Sequence, residues 1–226
     1  MTEAFHFLDP LNVLPGVRAG WIARIPDLPL AVERDEAMKL LRTHHAAAIC
    51  EFAGASASWA RAEQVHGNAV SVIPSTATIL ASDGLPVVPL VDGLITNLPD
   101  VVLTIYVADC GPIWLADRKT GAIGLLHSGR KGTEANIFAT ALQAMAEHFG
   151  TEPENVTAVL GPCIRPPDFE VDFAAQIARQ ADEAGVKNFT DCGLNTASDL
   201  QCHYSYRREM GKTGRMMAMI VKTLSP

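Results

Sequence analysis

Apolar residues along this chain fall into two patterns. In VVLTIYVAD (101–109) they run almost unbroken, which predicts a strand buried on both faces. GAIGLLH (121–127), NVTAVLGP (155–162) and the C-terminal RMMAMIVKTL read as further strands, and NAVSVI (68–73) and DGLIT (92–96) add shorter ones. WLADRKTG (114–121) reads as a short strand end and a hairpin turn. Helical spacing appears from Glu33 to about Ala48, with Ala37, Leu40, Leu41 and Ala48 on one side. A second helix is predicted over Glu134–Phe149, its apolar face formed by Phe138, Ala141, Leu142, Met145 and Phe149, with Thr133 as its cap and Gly150 just past its end. A third spans Asp172 to Ala184 and stops at Gly185. The first 30 residues are rich in Pro and Gly with short apolar pieces such as AGWIARI, and Pro74 to Pro89, carrying Asp83–Gly84, reads as a loop. Hairpin-length and helix-length connections occur together, so the expected fold class is α/β, a single layered domain over residues 1–226 with mixed β-sheets flanked by helices.

Charge narrows the partners. The chain has 226 residues and a formal net charge of −7. Proteins that grip a nucleic-acid backbone carry a basic face, so nucleic acid is not expected as the main partner. A small anion held by a few local arginines remains compatible with this balance. No apolar run approaches the roughly 20 residues needed to span a bilayer, and the start, MTEAFHFLDP, has no basic stretch followed by an apolar one, so neither a membrane span nor a leader is expected. Cys50, Cys110, Cys163, Cys192 and Cys202 are odd in number and form no CxxC, which fits reduced thiols and a cytoplasmic location.

Three residues with metal-binding chemistry lie where predicted strands give way to loops: His66 in EQVHGN, Cys110 in ADCGP and His127 in LLHSGRKG. A rigid element followed by an accessible loop suits a functional side chain. Two imidazoles and a thiolate make a three-ligand zinc set with the fourth position open. Each residue has an ordinary reading too: a Cys after a buried strand packs as a small core residue, and a His before Gly serves at a surface. The joint placement raises the metal reading. Asp92 and Asp109 are the nearest acids, able to orient a ligand His or to carry a proton. After His127, Gly129 and Gly132 let the backbone turn, Arg130 and Lys131 bring positive charge, and the start of the Thr133-capped helix offers N–H groups to an anion. A second cationic group, YSYRREMGKTGR, sets Arg207, Arg208 and Arg215 among Tyr204 and Tyr206, a mixture suited to a planar polar ligand such as a nucleobase.

QVHG (64–67), DGLIT (92–96), VADCGPIWLAD (107–117), HSGRKG (127–132), LGPCI (160–164) and SYRR…GR (205–215) occur in this order. Together they resemble the YfiH-like family, also called the laccase-domain or multicopper polyphenol oxidase family. The likeness covers about residues 60–220. It implies a single α/β domain with mixed sheets, a metal held by His66, Cys110 and His127, and phosphorolysis of purine nucleosides together with adenosine deamination. The implied partners are a purine nucleoside and phosphate. The candidate catalytic residues are Cys110, His127 and Asp109; the candidate substrate contacts are Arg24, carried over from the family, and Arg130, Lys131 and Arg207 from the two cationic groups. Zinc is the expected metal, with copper as the alternative. The chain departs from the family pattern at three places. Arg130–Lys131 stands where a Trp-Arg pair is usual, Ala23–Arg24–Ile25–Pro26 replaces a Thr-Arg-x-Gly-Gly segment, and Asn195–Thr196 replaces Cys-Thr. These cluster where substrate would lie. Other readings are an amidase that edits peptidoglycan precursors, with Cys110 as nucleophile and His127 as base, a partner-binding member without turnover, and a copper polyphenol oxidase. A multicopper centre draws on many paired histidines, and the seven here include no HxH pair.

Overall fold

The structure is a computed structural model that describes residues 5–55, 57–73, 79–81 and 84–223. The helices are α1 (Asp9–Asn12), α2 (Arg34–Ala53), α3 (Arg130–Glu134), α4 (Ile137–Phe149) and α5 (Phe173–Glu183). The strands are β1 (Val17–Ile22), β2 (Ser58–Arg61), β3 (Val70–Val72), β4 (Ile79–Leu80), β5 (Pro86–Val87), β6 (Gly93–Thr96), β7 (Val101–Val107), β8 (Gly111–Asp117), β9 (Ile123–Ser128), β10 (Val156–Leu160), β11 (Asn188–Asp191) and β12 (Met216–Lys222). One sheet has the order β1-β12-β7-β2 and a second the order β11-β10-β8-β9-β6-β3, while β4 and β5 form a small hairpin. Both large sheets are mixed: β2 runs parallel to β7, β3 to β6 and β10 to β11, and the other pairings are antiparallel.

Four layers result, and the side-chain alternation of the strands assigns each residue to one of three cores. Along β12, Met216, Ala218 and Ile220 face the other sheet while Met217, Met219 and Val221 face α2. Along β8, Trp114 and Ala116 enter the space between the sheets, and Ile113 and Leu115 face α4 and α5. This explains why the central strands show so little polar alternation: both faces are buried, against different layers. Trp21 and Trp114 meet edge to face at 6.1 Å in the inter-sheet core, and the Trp114 indole N–H donates to the Met219 carbonyl at 2.8 Å, tying one sheet to the other.

The helices differ from expectation at three points, the first being that α2 runs to Ala53 rather than ending at about Ala48. Leu40 is over a third exposed; the stripe that α2 buries is Ala37, Met38, Leu41, His45, Ile49 and Phe52, one position round the helix. Thr133 is not a cap. It lies inside the short α3, its hydroxyl paired with Ser128 Oγ at 2.8 Å, and α4 begins instead at Asn136, which takes a left-handed conformation (φ 54°) and accepts the Ala139 N–H on its side chain. The extended helix start expected beside Arg130 and Lys131 is therefore a single turn. The Gly150 ending is as expected, at φ 69°, and Asp172 caps α5 by accepting from Ala175 N–H. Strands β1, β2 and β11 are additional to those read from the chain, and β8 is a full strand over Gly111–Asp117 where only a short strand end before a turn was expected. Much of the expected 74–89 loop, including Asp83, lies outside the described residues; around it stand the paired β4 and β5.

Candidate metal centre

Sheet register brings the three candidate ligands together. Strand β7 belongs to one sheet and β8 to the other, so the turn carrying Cys110 crosses between them. On β8–β9, Gly111 pairs with Ser128 and Pro112 with His127. One further step of that ladder places Cys110 beside Gly129, and a Cβ built on Gly129 would stand 2.5 Å from Cys110 Sγ. Only glycine allows that approach. On β6–β9, Gly93 pairs with Leu126, which puts Asp92 opposite His127. His66 enters from the loop between β2 and β3, held by Gln64, whose side chain bonds both the N–H and the carbonyl of Tyr106 on β7. The donor atoms of His66, Cys110 and His127 all lie within 4.8 Å of one another.

Asp92 organises this trio. It is fully buried, and its Oδ1 accepts from His127 Nδ1 at 2.7 Å and from the His66 backbone N–H at 2.9 Å, while Oδ2 accepts from Gly67 N–H at 2.7 Å. A carboxylate only accepts, so the proton sits on Nδ1 of His127 and Nε2 is directed to the cluster. Burial alone would push the Asp92 carboxyl up; its bond to His127 and the two N–H donors hold it below the usual carboxylate range. Burial would likewise raise the Cys110 thiol, but His127 and His66 bring it down to about 6. The His127 imidazole, which burial would depress, is lifted to about 9 by Cys110 and Asp92. Thiol and imidazole thus pull each other toward their charged forms, and a metal cation bound there would take the place of the proton on His127 Nε2. Two imidazoles and a thiolate fit a zinc or copper ion with one position left open. Backbone strain collects here as well: Gln64, His66, Leu90 and Asp109 all have positive φ without being glycine.

The other candidates occupy distinct places. Asp109 is buried beside Cys110; its Oδ1 accepts from Thr196 hydroxyl and its Oδ2 from Arg207 N–H, both at 2.7 Å, and its carbonyl accepts from Ile164 N–H. Both carboxylate oxygens are engaged, so Asp109 ties the cysteine turn to the 196 and 207 segments. Arg24 is committed elsewhere: Nη1 pairs with Glu209 at 3.0 Å and with the His203 carbonyl at 3.2 Å, and the guanidinium lies over the Tyr204 ring. Arg130 and Arg207 come together, both reaching Glu170. Lys131 is exposed and makes no ion pair among the described residues. Arg208 pairs with Asp168. Arg215 is half-buried; burial and then Arg34 pull it below the usual guanidinium range, while the negative charges of Cys110 and Asp109 oppose them, which marks it as a neighbour of the cluster. Sequence reading missed the bracing by Gln64 and the anchoring by Glu209 and Glu170, because each partner lies far along the chain and no spacing announces it.

A profile of the multi-copper polyphenol oxidoreductase laccase family matches residues 28–176 and 170–223. The chain belongs to this family. A protein of Deinococcus radiodurans named purine nucleoside phosphorylase is 35% identical over 190 residues, which is 74% of this chain and 71% of that protein. Purine nucleoside phosphorylase YlmD of Bacillus subtilis is 29% identical over 195 residues, 72% of this chain and 70% of that one. Among solved structures, YlmD from Geobacillus stearothermophilus superposes with a TM-score of 0.75 at 22% identity, covering 96% of this chain and 94% of that chain. The Bacillus licheniformis protein YfiH gives 0.74 at 21%, covering 91% and 92%. The mixed-sheet α/β fold of this YfiH-like family is therefore the fold of this chain. No helix among the described residues is long and apolar enough to cross a membrane.

Proposed function

We propose that this family member is a zinc-dependent purine nucleoside phosphorylase that also deaminates adenosine. The observation that carries the reading is a three-donor cluster, His66, Cys110 and His127, with two arginines fixed to the residues next to it. Relatives named purine nucleoside phosphorylase over about seven-tenths of both chains support the phosphorylase part of this reading. His66, Cys110 and His127 would hold the ion, which when bound supplies Lewis acidity and a water acidic enough to act near neutral pH. Arg130, Lys131 and Arg207 hold phosphate. Its oxygen bonds to C1′ of the nucleoside as the C1′–N9 bond breaks, and the purine leaves carrying a proton from solvent. In deamination, water adds at C6 and ammonia leaves. Asp92 keeps His127 in the ligand tautomer, and Asp109 holds the Cys110 turn rather than moving a proton. Arg24 supports the loop that presents Arg207 instead of touching substrate. The polyphenol-oxidase reading has a single cluster of three donors to work with among the described residues. The lowered Cys110 thiol beside His127 favours one other reading, a Cys/His hydrolase cutting an amide in a nucleotide-linked amino sugar.

The test is product chromatography. Zinc-loaded protein is incubated with adenosine, with and without phosphate, beside His127→Ala. The expected result is phosphate-dependent adenine together with inosine, both lost in the variant. Amide cleavage of a nucleotide-linked amino sugar, with no product from any purine nucleoside, would transfer the assignment to the hydrolase.

A further inference from the structure

Glu170 stands two residues before the α5 cap, on a bend. Its Oε2 accepts from Arg207 Nη2, and its Oε1 lies 4.0 Å from Arg130 Nη1. One carboxylate thus joins two guanidinium groups, each carried by a segment that adjoins Cys110. Arg130 directly follows Gly129, the residue packed against Cys110 Sγ. Arg207 donates its backbone N–H to Asp109, the residue before Cys110. Each arginine also has an anchor of its own. The Arg130 Nε donates to Glu134 at 2.9 Å, one turn along α3, and the Arg207 guanidinium lies over the Phe169 ring at 5.3 Å, with Phe169 in turn packed on Phe173 at 6.0 Å. Removing Glu170 would leave both arginines in place with terminal Nη groups directed at one point. That is a preorganised fork for an oxyanion, and Glu170 fills it.

We propose that Glu170 is a built-in competitor for the oxyanion subsite formed by Arg130 and Arg207, displaced when inorganic phosphate binds. The inference rests on the phosphorolysis reading for its biological meaning, though the subsite and its occupant stand on geometry alone. All three side chains are about half exposed, so exchange with a solvent anion meets no steric barrier, and the Coulomb attraction within the group is screened enough for exchange to be reversible. The chain's own carboxylate then sets a threshold: phosphate occupies the site only at concentrations that outcompete it. Glu170 is a specificity-determining residue in this account, because a dianionic phosphate that spans both guanidiniums displaces it and a monovalent carboxylate does not.

The test is calorimetric titration of the full-length, zinc-loaded protein with inorganic phosphate, in chloride buffer, for wild type, Glu170→Gln and the double variant Glu170→Gln/Arg207→Gln. Removing the competing charge is expected to tighten phosphate binding about tenfold, and removing Arg207 in addition to abolish that gain. Phosphate affinity within about twofold of wild type in Glu170→Gln, or a gain that survives the loss of Arg207, would overturn the inference. Thermal melts of each variant check that the fold is retained; substitution of an exposed carboxylate leaves it intact. In the phosphorolysis assay the KM for phosphate should fall in Glu170→Gln in step with the tighter binding. Phosphate binding that obeys this pattern without nucleoside turnover would leave the subsite standing and remove the phosphorylase reading. Turnover with a phosphate KM indifferent to Glu170→Gln would do the reverse.

Discussion

Replacing Asp92 with Asn is the most informative single change at the cluster, because it is nearly isosteric and alters only charge and acceptor count. The wild-type carboxylate is fully buried and accepts three bonds, from His127 Nδ1, His66 N–H and Gly67 N–H. The amide has one oxygen. It can keep the two bonds at Oδ1 or the one at Oδ2, so at least one N–H is left facing the new NH₂ group. An unsatisfied buried donor costs about 1–3 kcal/mol, and the lost charge assistance on the others adds a comparable amount. Part of that falls on folding and part on the ligand set. Changing the partner of a metal-bound His typically weakens metal binding about 10–100-fold, or about 1.4–2.7 kcal/mol. We therefore expect Asp92→Asn to fold with stability lowered by about 2–3 kcal/mol and to bind zinc about 10–100-fold more weakly. The assay is competition with a chromophoric chelator at pH 7.5, beside a urea melt of the metal-free protein. Zinc affinity within about twofold of wild type would refute the idea that Asp92 sets the His127 tautomer and the His66 backbone.

Gly129→Ala puts a methyl 2.5 Å from Cys110 Sγ, so zinc stoichiometry by elemental analysis should fall well below one per chain while the far-ultraviolet circular dichroism stays unchanged. His45 is buried with both ring nitrogens unpartnered, and burial, then the charges of His44 and Arg61, hold its pKa down at about 3. The folded chain keeps this ring neutral while the unfolded chain protonates it near pH 6.5, so stability declines as pH falls from about 6.5 toward 3, by about 2 kcal/mol at pH 5 from this group. Urea melts at pH 7.5 and 5 should show this difference shrinking in His45→Leu; an identical pH slope in the variant would contradict it. Trp114→Ala removes a fully buried ring and its bond to Met219, and should destabilise the chain by about 3–5 kcal/mol in the same melts.

The strands that build the two sheets were legible because they are buried on both faces, as VVLTIYVAD and RMMAMIVKTL announce. The sheet to which each strand belongs was not, since alternation reports that a face is buried and not what buries it. Trp114 and Ile113 carry the same apolar signal and enter different cores. The Thr133 cap failed for a local reason: a Ser128 hydroxyl competes for Thr133, and Asn136 accepts the left-handed conformation that restarts the helix. His66, Cys110 and His127 could be picked out as strand-end residues with metal-binding side chains. That they converge follows from β8–β9 and β6–β9 register, which a single chain read in order does not contain. The long-range partners were out of reach altogether. Glu209 claims Arg24 from 185 positions away, and Thr196 claims Asp109 from 87.

In the proposed function, phosphorolysis by this chain depends on one metal ion held by His66, Cys110 and His127. The most direct test of that dependence is to remove metal with a chelator, restore zinc in steps, and count moles of free purine and ribose 1-phosphate formed from inosine and phosphate at each step. The expected outcome is the two products in equal amounts, a rate that climbs in proportion to bound zinc, and a plateau at one ion per chain. Full turnover by the metal-free protein, or a fully zinc-loaded protein that forms neither product, would contradict it.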